Sequence, residues 1–130
     1  MNYVSTDGNG VKSYDIISKT NGPGAQTLRV LQPTNPVAGV QHNFIYALPV
    51  EAGLGTTYGD GLDTLRSLNA QNQYNLTIIE PTFGVEPWYA DNPLNTNAQQ
   101  ETFLTTQLVP WVNQNLETTG YEKKLVTRLF

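Results

Sequence analysis

The chain has 130 residues and a net charge of −4, and only 14% of its residues are charged, against about 25% in an average soluble protein. That length makes one domain or part of one, and its scattered Lys and Arg (paired only at Lys123-Lys124) offer neither a basic stripe for nucleic acid nor a polybasic membrane patch. It has no cysteine, which removes a disulfide framework and a cysteine-based metal site.

The first thirty residues contain no apolar signal-peptide core, and no apolar run is long enough to span a membrane. The compartment stays open. Val11 to Ser18 and Thr27 to Leu31 are short and rich in β-formers, and Asn21-Gly22-Pro23-Gly24 between them is turn chemistry. They predict an antiparallel hairpin. Gln32 to Gly39 holds two prolines and reads as a loop. Asn43 to Leu48 is a continuous apolar run, the pattern of a strand buried on both faces.

Pro49 to Gly61 is glycine-rich and irregular. Asp60 to Asn72 carries Leu62, Leu65 and Leu68 at helical spacing, with Asp60 or Asp63 placed to cap it. Leu76 to Glu80 is a second buried strand, stopped by Pro81. A long aromatic loop follows, Thr82 to Thr96, and then a helix over Ala98 to Leu116. Thr96 or Asn97 is a cap for it, with a glutamine three residues on from either. Its apolar stripe is Leu104, Leu108, Trp111 or Val112, and Leu116, and Pro110 is expected to kink it against the carbonyl of Thr106. Leu125 to Phe130 is the last strand. The order β-β-β-α-β-α-β predicts an α/β fold of three layers, α/β/α, whose mostly parallel sheet has an antiparallel N-terminal hairpin. Residues 1–130 make one domain, expected to be incomplete.

Chemistry-bearing motifs are few. Ser5, Ser13, Ser18 and Ser67 all lack the glycine framing of a nucleophile elbow, and His42 is the one histidine. His42 precedes a strand, at the end opposite to where open α/β sheets bind ligands, so it reads as a loop histidine with a structural or neutral role. Gly53-Leu54-Gly55 and Gly59-Asp60-Gly61 fit no phosphate loop, and no metal or cofactor is implied. Two loops leave the carboxyl ends of predicted parallel strands. Leu48 to Gly55 has glycines that free backbone N–H groups for an oxyanion hole, and an ordinary tight connection explains them equally well. Glu80 to Pro93 places Phe83, Trp88 and Tyr89 among prolines. These rings either line an apolar or sugar-like pocket or plug the core.

Taken together, LPVEAG after a buried strand, EP after the next, PWYADNP in the loop and Leu108-Val109-Pro110-Trp111-Val112 on the helix resemble the α/β-hydrolase fold. Within it the chain is similar to the esterase D-like esterases, which include feruloyl and acetyl-xylan esterases. The resemblance covers residues 27 to 130. It implies the N-terminal half of a serine carboxylic-ester hydrolase that takes a small-molecule or carbohydrate ester and needs no cofactor. It also implies that the nucleophile lies beyond Phe130, so this chain alone has no catalytic residue and no turnover. The retained element would be an oxyanion-hole donor near Val50 or Glu51, where Pro49-Val50 replaces the family's usual His-Gly. Trp88, Tyr89 and Phe83 would bind substrate. Two other readings stand beside it: a non-catalytic module for a carbohydrate or apolar ligand, and a hydrolase-fold remnant that pairs with a partner chain or with itself through an exposed sheet edge.

Overall fold

The computed structural model describes residues 1–17, 27–35, 42–49, 52, 59–83, 89–91, 93–94 and 99–116, and the backbone of Glu122–Arg128. Its strands are β1 (Asn2–Thr6), β2 (Lys12–Asp15), β3 (Thr27–Leu31), β4 (His42–Leu48), β5 (Leu76–Pro81) and β6 (Glu122–Arg128). They form one sheet in the order β1-β2-β3-β5-β4-β6. The five strand pairings mix directions: β1 with β2, β2 with β3 and β3 with β5 are antiparallel, whereas β4 runs parallel to both β5 and β6. Because β5 and β6 flank β4 on opposite sides, crossovers of one hand must put their helices on opposite faces. Three layers result.

The expected hairpin is present as β2 and β3, with Lys12 opposite Val30 and Asp15 opposite Thr27. Its turn lies outside the described residues. An added strand, β1, extends it. Every residue of β1 is exposed, so no alternation of apolar and polar residues announced it. Turn chemistry makes it instead: the Asp7 carboxylate accepts the N–H groups of Asn9 (2.8 Å) and Val11 (3.0 Å), and Gly10 adopts φ +83°.

One face of the sheet buries Leu28, Val30, Phe44, Tyr46, Leu48 and Ile79 against the second helical region, and the other buries Leu31, Ala47, Leu76 and Ile78 against the first. Strand β4 therefore alternates its apolar side chains between two cores, as its continuous apolar run predicts. The first helical region is two pieces, α1 (Gly61–Ser67) and α2 (Ala70–Gln73). Asp60 caps α1 by accepting the Asp63 N–H at 2.9 Å. Leu62 is fully buried, but Leu68 is 63% exposed. The single helix expected through Asn72 breaks there, because Asn69 takes a left-handed φ of +54° that asparagine tolerates.

The second region is α3 (Gln100–Phe103), a π-helical turn (Leu104–Leu108) and α4 (Val109–Asn115). Val109 donates its N–H to the carbonyl of Leu104, five residues back. Pro110 has no N–H and its ring excludes a normal turn against Thr106, so the helix widens ahead of it. Widening adds a residue to the turn. Phe103 and Leu108 then share a face with Val112 and Leu116, and the first three have no exposed surface. Leu104, expected in the stripe, is only partly buried and Phe103 takes its place.

Candidate functional site

Pro49 leaves the carboxyl end of β4, and Thr82-Phe83 leave that of β5, so both loops open at the sheet end where α/β folds bind ligands. Tyr89 joins them. Its hydroxyl donates to the Pro49 carbonyl, and its backbone N–H donates to Oε1 of Gln100 at 2.9 Å. Its ring meets Phe83 edge-on, with centroids 5.6 Å apart, and Phe83 meets Phe103 in the same way at 6.1 Å. Tyr89 has φ +58°, a left-handed conformation that costs a bulky residue about 1–3 kcal/mol. The surrounding bonds over-determine it.

The loop is clamped a second time two residues on. Asp91 accepts the Thr102 N–H at 2.9 Å and also the Thr102 hydroxyl, which caps α3 from outside the helix. These bonds hold the Asp91 carboxyl below its ordinary range. The expected caps, Thr96 and Asn97, lie outside the described residues; α3 starts after Gln99 with no side-chain cap bond, and Gln100, 2% exposed, turns its oxygen to Tyr89. A buried glutamine inside a polar stretch was the signal available in sequence, and capping was the nearer explanation for it.

An apolar pocket of about 200 Å³ opens between Tyr46 and Leu48 of β4 and Leu104, Thr105 and Val109 around the π turn. On the opposite face of the sheet, Glu80 is 1% exposed. One of its oxygens accepts the Leu62 N–H at the start of α1, and the other pairs with Arg29 at 3.1 Å. Arg29 also pairs with Asp60 at 3.1 Å and Asp63 at 2.8 Å. Burial, then Asp60, push the Glu80 carboxyl up from 4.5 to about 8 against the pull of Leu62 N–H and Arg29. Burial lowers Arg29, and the carboxylates more than offset this and raise it. The cluster anchors α1, and with it the far end of the segment that begins at Pro49.

Of the residues singled out from sequence, Val50, Glu51 and Trp88 lie outside the described residues. Tyr89 is half-buried at the junction of the two loops. Phe83 is 1% exposed and packs as core, where it supports Tyr89 and offers no surface of its own. His42 is the first residue of β4 and not a loop residue. It is 3% exposed, its Nε2 lies 2.6 Å from the Thr77 hydroxyl, and its ring stacks on Phe44 at 5.0 Å. Among the described residues no group of acidic and histidine side chains is placed to hold a metal, and no helix is long and apolar enough to cross a membrane.

No family model and no curated protein sequence matches the chain. Solved structures do. The S-formylglutathione hydrolase of Agrobacterium tumefaciens superposes with a TM-score of 0.60 over 97% of this chain, at 13% identity. The BES protein of Bacillus cereus superposes with a TM-score of 0.50 over 93%, at 14% identity. The chain has the α/β-hydrolase fold. It spans about half of these proteins, 52% of each. Within this fold, the Tyr89 junction and the Pro49 carbonyl occupy the carboxyl end of the parallel strands, while the one histidine sits at the amino end of β4, buried and bonded.

Proposed function

We propose that the chain is the N-terminal half of a serine carboxylic-ester hydrolase, that the whole protein acts on a small-molecule or carbohydrate ester, and that this half alone has no turnover. The observation that carries the last point is His42. Ester hydrolysis by serine needs an imidazole within reach of the nucleophile as general base. The chain's only histidine is 3% exposed and bonded to Thr77, at the wrong end of the sheet. The nucleophile and base come from outside these residues.

What this half contributes is the oxyanion side of the reaction. The Tyr89 hydroxyl holds the Pro49 carbonyl at the carboxyl end of β4, beside the loop from which the oxyanion-hole donor is expected. A donor fixed before reaction stabilises the developing oxyanion without reorganisation. The strained backbone of Tyr89 supports this reading, because such strain persists where geometry serves function.

The test is direct. The 130-residue chain is expected to hydrolyse p-nitrophenyl acetate at the background rate and to take no label from a fluorophosphonate. Turnover above background that a serine-directed phosphonate stops would overturn the proposal.

A further inference from the structure

Two acids meet on one nitrogen in the cluster that anchors α1. Arg29 Nη1 lies 3.1 Å from Oδ2 of Asp60 and 3.1 Å from Oε1 of Glu80. The side chains of Arg29, Asp60 and Glu80 are 13%, 12% and 2% exposed. Asp63, 2.8 Å from Nη2, is 45% exposed and stays in water. One guanidinium thus faces three carboxyl groups, two of them largely dry. Its single charge does not neutralise both, and carboxyl groups crowded this closely in a dry site hold one proton between them.

The other oxygens of the same two residues carry the start of α1. Glu80 Oε2 accepts the Leu62 N–H at 3.1 Å and Asp60 Oδ1 accepts the Asp63 N–H at 2.9 Å. The Asp60 carbonyl accepts the Thr64 N–H at 2.9 Å. Among the described residues no second counter-ion is near. Arg66 of α1 turns to Asp63 at 3.7 Å, and α2 has no titratable side chain. In β4, His42, stacked on Phe44, and Tyr46 lie on the other face of the sheet. Burial, then Asp60, hold the Glu80 carboxyl up at about 8. Above that value two negative groups share Nη1. Glu80 is fixed in β5, between β3 and β4, whereas Asp60 stands at the entry to a short helix, so Asp60 is the one that moves. We propose that Asp60 and Glu80 are a proton-sharing pair that works as a pH-sensitive clasp on α1. With the proton, α1 is docked on the sheet. Without it, the first turn and Leu62 come away while β3, β4 and β5 stay paired. The clasp does not depend on the esterase reading.

NMR of the 130-residue chain, ¹³C-labelled in its Leu and Val methyl groups, tests this between pH 5 and 10. The Leu62 methyls should shift with a midpoint near 8, and those of Val30, buried in the core on the opposite face, should hold. Asp60→Asn and Glu80→Gln each keep an acceptor for α1 and remove one acid, so each should abolish the transition. Asp60→Asn leaves a favoured cap residue and carries the test if Glu80→Gln does not fold. Leu62 methyls that stay in place throughout, or a transition that survives in the folded variants, would overturn the proposal. So would Val30 methyls that move together with Leu62, which is the mark of global unfolding.

Discussion

Glu80 is a carboxylic acid with only 1% of its surface exposed. Unfolded, its carboxyl titrates near 4.5, and folded it titrates near 8, so between these values the folded chain holds a proton that the unfolded chain has lost. The contribution to stability is therefore fully present below about pH 4.5 and is lost as pH rises through 8. Denaturant midpoints measured from pH 5 to 9 should fall with rising pH. Glu80→Gln keeps an acceptor for the Leu62 N–H and carries no charge, so it should flatten that slope. A variant with the wild-type slope would assign the titration to another group. In sequence Glu80 was only the last residue of a buried strand. What made it a protonated acid is its burial and, after that, the approach of Asp60, twenty residues away and on another element.

The widened turn before Pro110 decides which residues of the second helix are core. With normal turns, Leu104 would sit one turn before Leu108 and share its burial. The π turn moves Phe103 to that place instead, with no exposed surface. Phe103→Ala should cost about 3–5 kcal/mol by opening a cavity against Phe83. Leu104→Ala, at a half-buried position beside the apolar cavity, should cost less than half as much. Equal losses in chemical denaturation would restore the regular helix. The helix and its proline were legible from spacing and composition. The register was not, because a period of 3.6 assumes that every turn is the same.

At the scale of the molecule, β6 has β4 on one side, and no other described strand pairs with its second side. A parallel strand with an open edge presents unpaired N–H and C=O groups to any strand that meets it. The isolated chain should therefore associate as its concentration rises, and sedimentation velocity reads this as a rising weight-average coefficient. A concentration-independent monomer in the high micromolar range would mean that the edge is covered by residues other than those described. On the proposed reading the same edge is where the rest of a hydrolase would dock, and a polypeptide supplying it should then suppress the association.

Local chemistry by itself determined the order of strands and helices, the two-faced burial of β4, the caps around Asp60 and the likeness to hydrolases. Each of these rests on near neighbours in the chain: apolar runs, turn residues, capping residues and short motifs. Strand β1 escaped because a fully exposed hairpin arm has no apolar face to display. Only the tertiary structure decided that Tyr89 is strained and bonded to Pro49, that Phe83 is a support, that Gln100 serves a loop and not a cap, and that Asp60 and Glu80 meet on Arg29. Those facts depend on partners distant in sequence. A side chain's hydrogen bonds and charge state belong to whatever folding brings against it, and spacing along one chain carries no record of that.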